Sequence, residues 1–186
     1  MKGMMFKVFE NHVTRHFGQN MLDELLDEPG LSTGGSYTSV GNYPYTDLTK
    51  ILGSLSERTG IPVRELLHTF GFELFAVLAE GHGAIMARFS SCLGMLAGIE
   101  AVIHRDVRKL YSDAELPRFE VEAHQDESYL RLVYKSSRPF VDLAEGLIQG
   151  ALSHYGVNEN ATVLREDLSD DGTHARFEIQ IGSAWP

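Results

Sequence analysis

The sequence predicts an α+β fold: N-terminal helices followed by an antiparallel sheet with one helix inserted between its two hairpins. Three observations point there. Up to about residue 110 the apolar side chains recur at helical spacing, and beyond Pro117 the period drops to two. The period-two stretches come in pairs, each pair joined around a short polar turn, QDES in the first and SDDG in the second. A helix-spaced stretch separates the pairs. Helices first and hairpins afterwards is the order of an α+β domain, not of alternating α/β units.

Met5, Phe6, Phe9, Val13 and Phe17 form the stripe of a first helix, and Gly18 stands where it can stop. A short helix around Met21 to Leu26 ends at Pro29-Gly30. Residues 31–45, LSTGGSYTSVGNYPY, are rich in turn formers and read as a loop. Leu48, Ile51, Leu52 and Leu55 mark another helix, closed by Gly60. Pro62 suits the first turn of a longer helix running to about Glu80, with Leu66, Phe70 and Leu74 on one line. Ser90 or Ser91 caps a helix from Cys92 to about Leu110. FEVEAH and YLRLVYKSSR make the first hairpin. Pro139 opens a helix with Phe140, Leu143, Leu147 and Ala151 on one stripe, closed near Gly156. ATVLRED and HARFEIQI make the second hairpin.

The 186 residues suit one domain with a sizeable core. Sixteen basic against 26 acidic residues leave a net charge of −10, which argues against a nucleic-acid or anionic-membrane partner. The longest uncharged stretch, FSSCLGMLAGI at 89–99, is too short to span a bilayer. Lys2, Lys7 and Glu10 interrupt the N-terminus, so no signal-peptide segment is expected. One cysteine, Cys92, allows no internal disulfide and fits a reducing, cytoplasmic setting.

Candidate chemistry concentrates in two places. In a strand, alternate side chains share a face. Tyr134, Ser136 and Arg138 therefore continue the face of Leu130 and Leu132. Two hydroxyls beside a guanidinium can clamp an anion; the plain alternative is a strand emerging into solvent. His104 lies beside the apolar stripe of Cys92, Leu96, Ile99, Ile103, Val107 and Leu110, as either a ligand or a hydrogen-bonded core residue. His12 and His16, one helical turn apart, have the spacing of a two-ligand metal site, but no HExxH or nearby acidic companion supports one. No GxSxG, P-loop or cysteine-nucleophile signature is present, and no enzyme activity is expected.

These residues resemble the heme-nitric oxide/oxygen-binding (H-NOX) family, in its bacterial stand-alone type. MKGMMFKVFENHV is similar to the family's first helix. IHRDVRKLYSDAELPRF is similar to its proximal-histidine segment, with Pro117 thirteen residues after His104. YKSSR matches its Tyr-x-Ser-x-Arg motif. The resemblance runs along most of the chain in family order. It implies a single sensor domain, with residues 1–60 as a distal helical part, residues 61–186 as a proximal part carrying the sheet, and a heme b (iron protoporphyrin IX) between them. By the same resemblance His104 is the axial iron ligand, Tyr134, Ser136 and Arg138 bind the propionates, and Pro117 presses on a bent porphyrin. His104 then needs a partner for its other ring nitrogen, and the sequence names none.

The resemblance also assigns Met5, Phe9, Leu66, Phe70, Leu74, Leu143 and Leu147 to the gas-binding side. Oxygen-binding members place a tyrosine where this chain has Leu143. Oxygen gains from a hydrogen-bond donor, whereas nitric oxide and carbon monoxide need none. The expected function is therefore a ferrous-heme sensor of nitric oxide, signalling through release of His104 to a separate histidine kinase or cyclic-di-GMP enzyme. The cysteine-rich zinc site of some bacterial relatives is not expected with Cys92 alone. Two rivals remain at this level: a six-coordinate heme carrier or redox protein, and a heme-free interaction module.

Overall fold

The computed structural model describes residues 1–182. It contains two compact units, Met1–Phe70 and the chain from Gly71 onward. The α+β class read from the sequence is the observed one. Helices come first, then a four-stranded antiparallel sheet with one helix between its hairpins.

The first unit holds α1 (Gly3–Phe17), α2 (Gln19–Leu26), α3 (Tyr45–Thr59) and the start of α4 (Val63–Gly81). Phe6, Phe9 and Val13 of α1 are buried, while Met5 and Phe17 are half-buried. Gly18 ends α1 at φ 88°, a conformation that costs glycine little. The loop before α3 is pinned by a buried carboxylate. Asp47 accepts from the Ser32 amide at 3.1 Å, the Ser32 hydroxyl at 2.5 Å and the Tyr37 hydroxyl at 3.0 Å. Tyr37 in turn stacks on Phe6, with ring centroids 4.3 Å apart. Burial, with Asp47 as acceptor, pushes the Tyr37 phenol well above its ordinary range, so it stays a donor.

In the second unit α4 continues and is followed by α5 (Gly83–Met86) and α6 (Cys92–Ala97). Next come a π-helix at Ile99–His104 and α7 (Arg105–Leu110). The single helix expected over Cys92 to Leu110 is thus three segments. Ser91 does cap its start, accepting from the Gly94 amide at 3.3 Å. The break comes at Gly98, where an added Cβ would lie 2.6 Å from the Phe89 ring. Beyond it the β-branched Ile99, Val102 and Ile103 crowd an α-helical turn, and the Ile103 amide reaches back five residues to the Gly98 carbonyl at 3.4 Å. Helix α5 begins at Gly83 and lies beyond the end, about Glu80, expected for the long helix.

The strands are β1 (Arg118–Gln125), β2 (Tyr129–Lys135), β3 (Ala161–Asp167) and β4 (His174–Ile181), in the order β1-β2-β4-β3. A bulge interrupts β1 between Val121 and Ala123. Leu130, Leu132 and Tyr134 of β2 and Ala175, Phe177 and Ile179 of β4 make the buried face. Helix α8 (Val141–His154) covers it with Val141, Ala144, Ile148, Ala151 and Leu152, a stripe shifted from the one expected. Beta-strand β2 stops at Lys135, earlier than alternation suggested. There the Ser136 hydroxyl takes the Arg138 amide at 3.0 Å, which turns the chain.

Helices α4 and α8 meet through glycine. A Cβ on Gly71 would stand 2.3 Å from the Leu143 carbonyl oxygen, and one on Gly150 would stand 2.6 Å from that of Phe72. Among the described residues no helix is long and apolar enough to cross a membrane. The glycines allow a paired test. Gly71→Ala should destabilise by about 1–3 kcal/mol through overpacking. Gly53→Ala, mid-helix in α3 with nothing within 4 Å of the added methyl, should stabilise by about 0.5–1 kcal/mol. Urea unfolding of both variants measures the signs; like signs would contradict the packing argument.

Candidate functional site

His104 closes the π-helix, and π turns are frequent at functional sites. It is 8% exposed, and its Nδ1 lies 2.6 Å from Glu100 Oε1. Its second ring nitrogen, Nε2, has no hydrogen-bond partner among the described residues. Burial pushes the imidazole below its ordinary value, against the pull of Glu100, so the ring is neutral at pH 7. A neutral ring has one N–H, and the carboxylate claims it. Nδ1 donates to Glu100, and Nε2 keeps a lone pair.

Glu100 is itself tied down. Its Oε1 also accepts from the Phe119 amide, and its Oε2 from Arg108 Nη2, both at 3.3 Å. Burial works to raise this carboxyl, but the bonds from His104, Arg108 and Phe119 together hold it below the usual range. Glu100 is the residue that sequence reasoning missed. The signal was there in the four-residue spacing to His104, which puts both on one helix face.

The second cluster sits at the end of β2. Tyr134 is 2% exposed, and the Arg138 side chain 12%. Burial pushes the Tyr134 phenol up, while the Ser136 hydroxyl and the Arg138 guanidinium pull it down; it remains a neutral donor at pH 7. Arg138 pairs with Glu115, whose side chain is 77% exposed, a contact that water weakens. Ser136 and Arg138 lie not on the strand face but on the turn after it, which still keeps them close to Tyr134. Phe119 bridges the two clusters, its ring 6.0 Å from that of His104 and 5.5 Å from that of Tyr134.

Pro117 is half-buried immediately before β1. Leu74 and Leu143 are buried, and Leu147 is half-buried against the sheet core. In the first unit Leu66, Phe70 and Phe9 are buried, with the Phe9 and Phe70 rings edge to face at 5.1 Å. His12 is buried and His16 exposed, their ring centroids 4.6 Å apart.

The donors of the second unit fit an iron porphyrin. A buried neutral imidazole with an unshared lone pair is a ligand for iron. A guanidinium with two hydroxyls suits the carboxylates such a group carries. His104 would hold the metal, and Tyr134, Ser136 and Arg138 the anionic edge.

A family model described as haem-NO-binding matches residues 2–163. No curated protein sequence matched. The solved structure of the ferrous, unliganded H-NOX protein from K. algicida is 33% identical, with 100% of this chain and 99% of that chain covered and a TM-score of 0.92. The H-NOX from Shewanella woodyi, in its Fe(II)CO state with IWP-051 bound, is 37% identical, covering 98% of this chain and 95% of that one, with a TM-score of 0.81. The H-NOX from S. oneidensis in the Fe(II)NO state is 26% identical over 98% of this chain and 100% of that one, with a TM-score of 0.83.

Cys92 is buried in α6, and burial pushes its thiol up to about 12. Only roughly one thiol in ten thousand is then ionised at pH 8. Iodoacetamide should leave Cys92 unmodified in the folded protein and label it within minutes in denaturant, as read by mass spectrometry. Rapid labelling under native conditions would refute the assignment of an inert core thiol.

Proposed function

Because the chain belongs to the haem-NO-binding (H-NOX) family, whose members are heme-based gas sensors, we propose that it senses nitric oxide at a ferrous heme b. His104 would hold the iron, and Tyr134, Ser136 and Arg138 would hold the propionates. The observation that carries the reading is the buried, neutral His104 with Nδ1 committed to Glu100 and Nε2 unshared. When bound, ferrous heme would supply an iron that takes up a diatomic gas.

The protein's share is to hold and to discriminate. His104 donates its Nε2 lone pair from a ring fixed on the π-helix. Arg138 offers a forked donor to one carboxylate, and the Tyr134 and Ser136 hydroxyls complete the hydrogen bonding. Pro117, half-buried at the entrance to β1, is proposed to bear on the porphyrin. Discrimination between gases depends on hydrogen-bond donors on the ligand side. None of Met5, Phe9, Leu66, Phe70, Leu74, Leu143 and Leu147 carries one. Such side chains favour nitric oxide and carbon monoxide over oxygen. Ferrous nitrosyl and carbonyl ligation in the two Shewanella relatives supports the same pair of gases here. The sensor acts on a separate signalling enzyme, a histidine kinase or a cyclic-di-GMP enzyme, by family resemblance.

The test is the absorption spectrum of the reduced, heme-loaded protein. A five-coordinate high-spin spectrum that changes with nitric oxide and shows no lasting change with oxygen is expected. A six-coordinate low-spin spectrum would favour the heme carrier or redox protein instead, and colourless protein from heme-supplemented cells would overturn both. A long-lived oxygen complex would remove the argument from Leu143.

The ligand is tested separately. His104→Gly should lose heme on gel filtration, and added imidazole should restore both retention and colour by taking the vacated position. A variant that keeps the wild-type spectrum without imidazole would mean that another residue ligates the iron.

A further inference from the structure

The heme reading requires His104 as a ligand but says nothing of how strongly it donates. Resting on that reading, we propose that Glu100 is a positioning residue. Its carboxylate fixes the His104 tautomer and adds anionic character to the ring, strengthening the bond from Nε2 to iron.

Three contacts argue for it. The 2.6 Å approach of Nδ1 to Oε1 is short for a nitrogen–oxygen pair and belongs to the charge-assisted class. A carbonyl acceptor would fix the tautomer equally well, but only a carboxylate pulls the proton far enough to make the ring a markedly better donor. The Phe119 amide and Arg108 Nη2, each at 3.3 Å, hold the carboxylate from the other side, so it cannot swing away without breaking them. The π-helix adds to this. Glu100 and His104 stand at its second and last residues, on the segment that follows Gly98. The carboxylate and the imidazole are thus set by the same irregular stretch of backbone, and a second link runs from Glu100 into β1.

The competing account is that Glu100 merely ties the π-helix to β1. That account predicts lost stability and nothing more. The two separate by spectroscopy on the ferrous, unliganded, heme-loaded protein. Glu100→Gln keeps an acceptor of the same shape and removes the charge; Glu100→Ala removes both. Resonance Raman should show the iron–histidine stretching band shifted down in Gln and further down in Ala. The ferric/ferrous potential should rise in the same order, since anionic donation favours ferric iron. Heme affinity should fall by about 10-fold or more in Ala, the usual cost of losing such a partner.

An unchanged band in Glu100→Gln, whether or not its thermal stability falls, overturns the proposal. So does an unchanged potential in that variant, even if Glu100→Ala fails to fold. Failure of the heme reading would look different: the wild type would give no iron–histidine band, or His104→Gly would keep one.

Discussion

A buried imidazole has two nitrogens to satisfy, and while neutral it can donate from only one. That constraint organises the second unit of this protein. Desolvation disfavours the charged ring, the carboxylate of Glu100 takes the single N–H, and the remaining lone pair has nowhere within the described residues to go. The proposed heme would give that lone pair an iron to bind and the second polar cluster an anionic edge to hold. Tyr134, with Ser136 and Arg138 close by, lies one aromatic ring away from His104, across Phe119.

The rest of the unit can be read as support for those two clusters. The sheet presents Tyr134 because β2 keeps strict alternation through Leu130 and Leu132, both fully buried against α8. Helix α8 can lie close to α4 because Gly71 and Gly150 let backbone approach backbone. That approach sets the backbone at Leu143 and Leu147, so their side chains do not act as spacers between the helices. A tyrosine at Leu143 would add a hydroxyl to a helix whose path the glycine contacts already fix.

Much of this was legible in the sequence because it is local. Helical and strand periods, Gly18 and Gly60 as stops, and the alternation of Leu130, Leu132 and Tyr134 depend on near neighbours along the chain. What was not legible depends on bonds that no period records. A glutamate on a helix reads as a solvated charge, so Glu100 passed unnoticed until its carboxylate was seen on His104 and on the Phe119 amide. The apolar spacing of Ile99, Val102 and Ile103 is the same for an α- and a π-helix to within one residue, so the change of ladder was invisible. Strand β2 ends early for a similarly private reason, a hydroxyl of Ser136 taking an amide two residues on. Buried Asp47 looked like an ordinary first-turn acid, though it pins an entire loop through Ser32 and Tyr37.

The order β1-β2-β4-β3 leaves β1 and β3 as the open margins of the sheet. Unpaired margins invite foreign strands, and hence fibres or swapped partners. Here β1 is kinked by its bulge and carries Glu120 and Glu122, the latter held by Arg176 at 3.0 Å. On β3, Arg165 is anchored sideways to Asp142 at 2.6 Å and Glu145 at 2.8 Å, with Glu166 and Asp167 beside it. A chain approaching either margin would meet a broken hydrogen-bond register on one side and a dense set of committed charges on the other. Association by lengthening the sheet is thereby discouraged, and recognition of this protein by another falls to side-chain surfaces.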